Sequence, residues 1–136
     1  DGSETNFEQA KTEIVEKVHI AVPEFYYIPE GMEYSKFFII PEAQMAVIKY
    51  KYNENSVYFH LMGNEKDLSQ GNWKDKEKVQ IETLDEVLDV EMGTMSENEE
   101  ENYYAVWKYK DAYYELSGQI EKEEIVKILN GMQYNL

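Results

Sequence analysis

The sequence contains no cysteine and no arginine among its 136 residues. Without cysteine, the chain has no disulfide, no thiolate metal ligand and no thiol nucleophile. Without arginine, it lacks the forked side chain that binds phosphate and guanine through paired hydrogen bonds. The chain has 13 lysines and 28 acidic residues, and its formal charge of -15 repels a polyanion. The sequence therefore predicts no nucleic-acid partner, and we interpret the acidity as a solvated surface rather than as an acidic mimic of DNA.

Histidine is also scarce, since His19 and His60 are the two imidazoles of the chain. Nucleophilic catalysis needs an activated side chain beside a base, and no G-x-S-x-G, P-loop or G-x-G-x-x-G motif occurs. The acidic run "SENEEE" at residues 96–101 lacks the alternating ligands and central glycine of an EF-hand loop. We therefore expect a noncatalytic protein without a metal or cofactor, with both histidines structural. A carboxylate-based hydrolase is the less favoured alternative.

Long apolar runs are absent as well, and none approaches the about 20 residues of a membrane-spanning helix. With 43% hydrophobic residues, residues 1–136 are expected to form a single domain with one core. We expect no membrane insertion by this segment. The opening "DGSETNFEQA" has the character of the interior of a longer protein, so we expect an anchor or a signal outside the chain.

The first elements are a helix and a long strand. Thr5 is the predicted cap of the helix, with Glu8 three residues later as in a capping box, and the helix is expected to end near His19. One face of this helix is apolar at helical spacing, through Phe7, Ala10, Ile14 and Val18. A turn is predicted at residues 29–31, "PEG", followed by a strand over residues 32–40.

A hairpin and a loop are predicted next. If residues 53–56 form a four-residue loop, apolar residues share one side in three cross-strand pairs, which are Tyr52–Val57, Tyr50–Phe59 and Ile48–Leu61. Residues 63–78 are polar and predict a long surface loop, with Leu68 and Trp73 as anchors. Strands at 79–83 and 87–95, a turn near Asp85 and a charged loop at 96–101 complete this region.

The stretch "NYYAVWKYKDAYYELSG" at residues 102–118 predicts a second hairpin with Lys110 and Asp111 at its tip. One face then carries three aromatic or apolar pairs, which are Tyr109–Ala112, Trp107–Tyr114 and Ala105–Leu116. A closing helix is predicted at 121–130, with Gly131 as a left-handed cap. The predicted fold class is α+β: an N-terminal helix, a bent antiparallel sheet of about six or seven strands, and a C-terminal helix, with both helices on the concave face.

The 12 tyrosines present two alternatives. Most are expected to fill the core between sheet and helices. Those on the opposite face, with hydroxyl groups in water, could line a groove for a peptide, sugar or lipid. The residues predicted to bind such a ligand are Tyr104, Tyr113, Tyr58 and Lys49.

Two segments resemble a bacterial family. They are "FYYIPEGMEY" at 25–34 and "YYAVWKYKDAYYELSGQIEKEEIVKIL" at 103–129. Together they resemble the domain of unknown function 4367, whose pattern has a "YIPEG" turn, an aliphatic-Trp strand, "Y-x-L-S-G" and an acidic-start helix. The matching positions Pro29, Gly31, Trp107 and Gly118 have a structural interpretation, because the glycines suit turns or close approach and the tryptophan suits the core.

The resemblance also implies a place and a role. Members of that family are commonly extracytoplasmic domains of membrane-anchored proteins similar to anti-sigma factors, or follow a lipoprotein signal. It therefore implies a noncatalytic sensory or interaction domain at the cell envelope, whose partner is a protein or a small envelope ligand. The alternative is a half-barrel carrier or lipoprotein that encloses a hydrophobic ligand between the sheet and its covering helix.

Overall fold

The computed structural model describes residues 6–64, 73–97 and 100–135. Helix α1 is Phe7–Val18 and helix α2 is Lys122–Asn130, and a 3-10 helix spans Pro41–Ala43. The strands are β1 Glu24–Phe25, β2 Met32–Ile40, β3 Met45–Tyr52, β4 Asn55–Met62, β5 Lys74–Glu82, β6 Val87–Glu97, β7 Glu100–Tyr109, β8 Ala112–Gly118 and β9 Met132–Gln133.

Seven of the strands in these ranges form one antiparallel sheet, in the order β2-β3-β4-β8-β7-β6-β5. Strands β1 and β9 pair separately as a small antiparallel ribbon. The predicted α+β fold class, with a helix before and after a sheet of about seven strands, is confirmed. The pairing of β4 with β8 joins two hairpins that are far apart along the chain.

Both helices pack on the same face of this sheet, which we call the inner face. The buried residues of α1 are Ala10, Ile14 and Val18, and those of α2 are Ile125, Ile128 and Leu129. Side chains of both helices and of the strands share one hydrophobic cluster. Each buried aliphatic side chain contributes about 1.5–3 kcal/mol, so this face supplies most of the stability. Within the described ranges, neither helix is long and apolar enough to cross a membrane.

Three aromatic rings fill the centre of the inner face. The ring of Phe59 stacks on those of Trp107 and Tyr114, with centroids 6.0 Å from each, and the latter two rings lie 5.8 Å apart. All three are buried. The indole Nε1 of Trp107 donates to the Tyr134 hydroxyl at 3.0 Å, and the Tyr114 hydroxyl donates to the carbonyl of Ala21 at 2.6 Å. The prediction that Trp107 anchors the core is confirmed.

The β7–β8 hairpin has the predicted register, with Trp107 opposite Tyr114 and Tyr109 opposite Ala112. Lys110 at the tip has φ 55°, the left-handed conformation that a two-residue turn requires. Alternation of bulky apolar and polar residues along both strands determines which face is buried.

The predicted register of the β3–β4 hairpin is wrong by two residues. Asn53 has φ 57°, and a two-residue turn replaces the predicted four-residue loop. Tyr50 therefore lies opposite Val57, and Ile48 lies opposite Phe59. Because side chains alternate with a period of two, this shift preserves the buried face and changes only the partners.

Two predicted loops are partly strand. Strand β5 begins at Lys74, inside the loop predicted at 63–78, and a bulge interrupts its pairing between Lys74 and Glu77. Strand β6 extends to Glu97 and strand β7 begins at Glu100, so both strands enter the loop predicted at 96–101. The ladder hydrogen bonds use the backbone, so charged residues are tolerated where a strand lies at the edge or end of a sheet. Of the two predicted anchors, Leu68 lies outside the described residues.

The helix caps differ from the predicted ones. The N-cap of α1 is Asn6, whose Oδ1 accepts from the Gln9 amide at 2.9 Å, whereas Thr5 lies outside the described residues. Gly131 has φ -95°, so the left-handed cap predicted there is wrong. A Cβ at Gly131 would come within 2.9 Å of the Tyr27 Cβ, so close packing is what favours glycine.

The two motif glycines have the predicted structural roles. Gly31 has φ 86° in a turn closed by the Met32 amide and the Pro29 carbonyl at 3.0 Å. A Cβ at Gly118 would lie 2.6 Å from the Ser56 carbonyl oxygen, where β8 crosses close to β4. Only glycine fits both positions without strain.

Asp85, in the β5–β6 turn, holds the end of the chain. Its carboxylate accepts from the Tyr134 amide at 3.2 Å and from the Asn135 amide at 2.7 Å. Burial raises the pKa of Asp85, but these backbone hydrogen bonds and one from the Thr83 hydroxyl outweigh it and hold the pKa below its ordinary 3.8. The Tyr134 hydroxyl, which accepts from the core indole, is thereby kept in place.

Replacing Trp107 with Ala is expected to lower the free energy of unfolding by about 3–5 kcal/mol, because the variant leaves a cavity among the stacked rings. Urea unfolding measures the loss. The matched control is Val87→Ala, since Val87 is 60% exposed, and it should change stability by less than about 0.5 kcal/mol. Equal stabilities of the two variants would contradict the burial of Trp107.

Replacing Asp85 with Asn is expected to lower the free energy of unfolding near pH 7 by about 1–3 kcal/mol, because charge-assisted hydrogen bonds are lost. A carboxyl with a lowered native pKa contributes stability above its ordinary pKa and loses it as the pH falls through the native pKa. The difference from the native sequence should therefore shrink below pH 3.8 in urea titrations at several pH values. The exposed Asp89→Asn is the control. A difference that stays constant with pH would refute this role.

Candidate ligand-binding site on the outer face

The face of the sheet away from the helices, which we call the outer face, carries one row of polar residues across four strands. Lys49 on β3 lies opposite Tyr58 on β4, which lies opposite Ser117 on β8, which lies opposite Tyr104 on β7. The row ends at Gly93 on β6. The sequence places these residues on the same face because each alternates with a buried inner-face residue.

A cavity of about 370 Å³ lies along this row. Aromatic side chains make up much of its lining, namely Tyr58, His60, Trp73, Tyr103 and Tyr104. Two carboxylates, those of Glu100 and Glu115, also line it. The volume falls within the range of small-molecule sites, about 300–1,000 Å³.

Tyr104 is the most deeply placed of these tyrosines. It is 3% exposed, so the expectation that its hydroxyl reaches water is wrong. The Trp73 ring lies against the Tyr104 ring, and a Cβ at Gly93 would collide with the Tyr104 hydroxyl. Burial, together with the charges of Glu91 and Glu115, raises the pKa of Tyr104 well above its ordinary value, so the phenol stays protonated.

His60 and Glu115 lie directly opposite each other on β4 and β8. Glu115 is 4% exposed, which is rare for a carboxylate. Burial lowers the pKa of His60 below its ordinary 6.5, although the Glu115 charge opposes this shift. The imidazole is therefore neutral near pH 7.

Three lining residues carry a buried polar atom for which the described part of the chain supplies no hydrogen-bond partner. These atoms are His60 Nδ1, Trp73 Nε1 and the Tyr104 hydroxyl. An unsatisfied buried polar group costs about 1–3 kcal/mol, so such groups are uncommon in folded proteins. Three of them around one cavity indicate a site that a ligand or water completes.

The structure brings together only part of the predicted site. Tyr58 and Tyr104 line the cavity. Lys49 lies beside Tyr58 in the row but outside the lining, and Tyr113 lies opposite Lys108, whose Nζ is 5.5 Å from its ring centroid.

Three lining residues were missed by the sequence analysis. His60 was interpreted as structural, Trp73 was interpreted as a loop anchor, and Glu115 was not singled out, whereas all three line the cavity. The sequence did contain one signal for His60, because it lies two residues after Tyr58 on the same strand and therefore on the same face. Across the chain that the structure describes, no group of three or more His, Cys, Asp or Glu residues could hold a metal ion.

The family model described as a domain of unknown function, DUF4367, matches residues 22–132. The chain belongs to this family. The DUF4367 match runs from the residues before β1 to the start of β9, so it includes all strands of the main sheet, the cavity and α2. The resemblance predicted from the two motif segments is thereby confirmed. Searches of curated proteins and of solved structures find no match.

The His60 imidazole of this DUF4367 domain is expected to titrate below pH 6.5 in a proton NMR titration, because burial disfavours its charged form. Glu115→Gln should lower the pKa of His60 further, since the carboxylate charge favours the imidazolium. The exposed Glu82→Gln is the matched control and should leave the pKa unchanged. A rise of the pKa in Glu115→Gln would show that the two side chains do not interact as the geometry indicates.

Proposed function

We propose that this DUF4367 domain is a noncatalytic sensory or interaction domain that acts outside the bacterial cytoplasm and binds its ligand on the outer face of the sheet. The observation that carries the proposal is the contrast between the two faces. The inner face is filled with side chains, whereas the outer face has a cavity lined by three residues with unsatisfied polar atoms.

The inner face leaves no space at its centre for a ligand. The rings of Phe59, Trp107 and Tyr114 contact one another there, and none is more than 3% exposed. Their polar atoms are hydrogen bonded to Tyr134 and to the Ala21 carbonyl. A carrier needs an apolar cavity between sheet and helix, and this packing supports a structural role for the inner face instead.

The outer face has the features of a binding site for a small molecule. Such sites combine aromatic walls with a few polar groups that orient the ligand. Tyr58 and Trp73 provide walls that are partly exposed, and the deeply buried Tyr104 and Glu115 provide polar groups below them.

The noncatalytic part of the proposal is based on the same residues. A histidine base activates a nucleophile through a direct hydrogen bond. Among the described residues no hydroxyl is hydrogen bonded to His60 Nδ1. The chain has no cysteine, and its other histidine, His19, forms the C-cap of α1.

The location at the cell envelope is based on the resemblance to extracytoplasmic domains of membrane-anchored, anti-sigma-factor-like or lipoprotein-like proteins. The formal charge of -15 suits solubility and disfavours adsorption to anionic lipid. In this proposal, an anchor outside the chain holds the domain at the membrane, and ligand binding on the outer face is the signal that the domain reports.

A second candidate function is that of a carrier for a hydrophobic ligand. A cleft of about 450 Å³ lies between α1, β1 and the edge of the inner face. Its apolar lining consists of Phe7, Phe25, Ile28, Met32, Tyr34 and Tyr50. Since Ile28 is 36% exposed, the cleft opens to solvent and could receive an acyl chain.

A titration followed by amide NMR distinguishes these functions. A fragment library of cationic, anionic and neutral rings, together with a short fatty acid, is added to the labelled 136-residue chain. Fragments are expected to shift outer-face amides of β4, β7 and β8, and Tyr58→Ala should abolish those shifts. Tyr113→Ala is the matched control, because it removes another half-buried outer-face tyrosine away from the cavity.

Two outcomes would count against the first function. Fatty-acid shifts confined to the residues of the α1–β2 cleft, and lost in Ile28→Asp, would establish the carrier instead. Failure of every fragment to shift an outer-face amide would remove the case for a binding site there.

A further inference from the structure

We propose that the free edge of strand β2 binds an extended peptide segment of another protein, whose side chains are apolar and end in an acidic residue. The segment adds one more strand to the sheet. This interaction surface is separate from the proposed function, because none of the described residues that line the outer-face cavity belongs to β2. The inference follows from the contrast between the two edges of the sheet.

Strands β2 and β5 are the two end strands of the seven-stranded sheet. Each pairs with a neighbour on one side, and no strand of the described ranges pairs with its other side. An end strand presents backbone amides and carbonyls that can pair with a further strand. Natural proteins protect such edges from pairing with lysines, other charged residues and bulges.

Strand β5 has this protection and the second half of β2 lacks it. The first five residues of β5, "KDKEK" at 74–78, are all charged and exposed, and a bulge interrupts this part of the strand. Strand β2 has a bulge between Tyr34 and Lys36, but residues 37–40, "FFII", carry no charge. The unprotected part of the β2 edge therefore follows directly after Lys36.

Both faces of this unprotected part are apolar. Phe38 and Ile40 lie on the outer face, where they are 47% and 39% exposed, and the β3 residues opposite them are apolar as well. Phe37 and Ile39 lie on the inner face and are partly buried against the core. A strand paired with residues 37–40 would bury apolar area on both faces in addition to forming ladder hydrogen bonds. Apolar side chains on the added strand are therefore favoured.

A pair of lysines marks the end of the apolar part. Lys36 and Lys49 lie directly opposite each other on the outer face, and like charges in this arrangement destabilise a sheet. Within the described residues neither lysine forms an ion pair. Lys36 Nζ lies 5.2 Å from the Phe38 ring centroid, and a neutral ring does not cancel its charge. An acid on the added strand beside Lys36 would offset the repulsion, which is why we assign an acidic end to the segment.

The charges also disfavour two other occupants of an apolar edge. A second copy of the chain paired through β2 would bring lysines rather than acids to this edge, and two chains with a formal charge of -15 repel each other. An anionic lipid surface would attract Lys36 and Lys49, but the net charge of the whole chain opposes adsorption.

The test uses the capped peptide SVTVTEE, whose valines and threonines suit a strand and whose glutamates reach Lys36 in an antiparallel pairing. It is titrated into the labelled full chain in about 0.15 M salt, which screens the net charge. The peptide is expected to shift the amides of residues 36–40 and to slow their hydrogen exchange. Its affinity should be about threefold higher than that of SVTVTQQ, the difference that one exposed ion pair supplies.

Backbone pairing is tested with two N-methylated forms of SVTVTEE, each methylated at one set of alternate residues. In a strand, alternate amides point to opposite sides, so one form should lose binding and the other should keep it. Loss in both forms, or in neither, would overturn strand addition.

Two variants test the side chains. Phe38→Thr keeps a strand-forming residue and should weaken SVTVTEE at least about fivefold, because exposed apolar area is lost, whereas the exposed Val87→Thr is the control. Lys36→Gln should abolish the preference for SVTVTEE over SVTVTQQ, and the exposed Lys78→Gln is the control for the loss of one positive charge. Thermal melting confirms that the variants are folded.

Three further outcomes would overturn the inference. They are failure of SVTVTEE to shift residues 36–40, a dimer in sedimentation that Phe38→Thr dissociates, and binding to anionic lipid vesicles that Phe38→Thr removes. The last two would assign the edge to a second copy or to a membrane. Fragment shifts on β4, β7 and β8 are measured separately, so failure at the β2 edge leaves the proposed function standing.

Discussion

The pairing of β4 with β8 is the constraint on which the rest of the structure depends. It joins two hairpins that are distant in sequence, and it places Phe59 beside Leu116 on the inner face and His60 beside Glu115 on the outer face. Because side chains alternate along a strand, the β4–β8 pairing determines both which residues lie at the centre of the core and which lie in the candidate site. A shift of one residue in the register of this pairing would move the core residues to the outer face and the site residues to the inner face.

The two faces treat polar aromatic groups differently. On the inner face, Trp107 and Tyr114 donate to acceptors within the protein, so their rings are structural. On the outer face, Tyr104, Trp73 and His60 carry buried polar atoms that the described residues leave without partners. A sheet that served only as a scaffold would place valine or threonine there at lower cost. This difference in hydrogen bonding between the two faces favours ligand binding, rather than a purely structural role, for the outer face.

The closing elements of the chain pack against the inner face. Helices α1 and α2 cover the inner face, and the β1–β9 ribbon and the Asp85 hydrogen bonds hold the C-terminal segment against it. Tyr134, in that segment, accepts the hydrogen bond of the central indole. The DUF4367 match covers the strands and α2, and therefore includes both the β4–β8 pairing and the cavity.

The sequence by itself determined the fold class, the bounds of β2 and the register of the β7–β8 hairpin, because turn residues and alternation act over a few positions. It did not determine the β3–β4 partners, since a shift of two residues leaves the alternation unchanged. Only the tertiary structure decided that β4 pairs with β8 and that Trp73 covers Tyr104. Those contacts join residues far apart in the chain, where local pattern carries no information. They place His60 and Glu115 in the lining of one cavity, although neither residue stands out in the sequence.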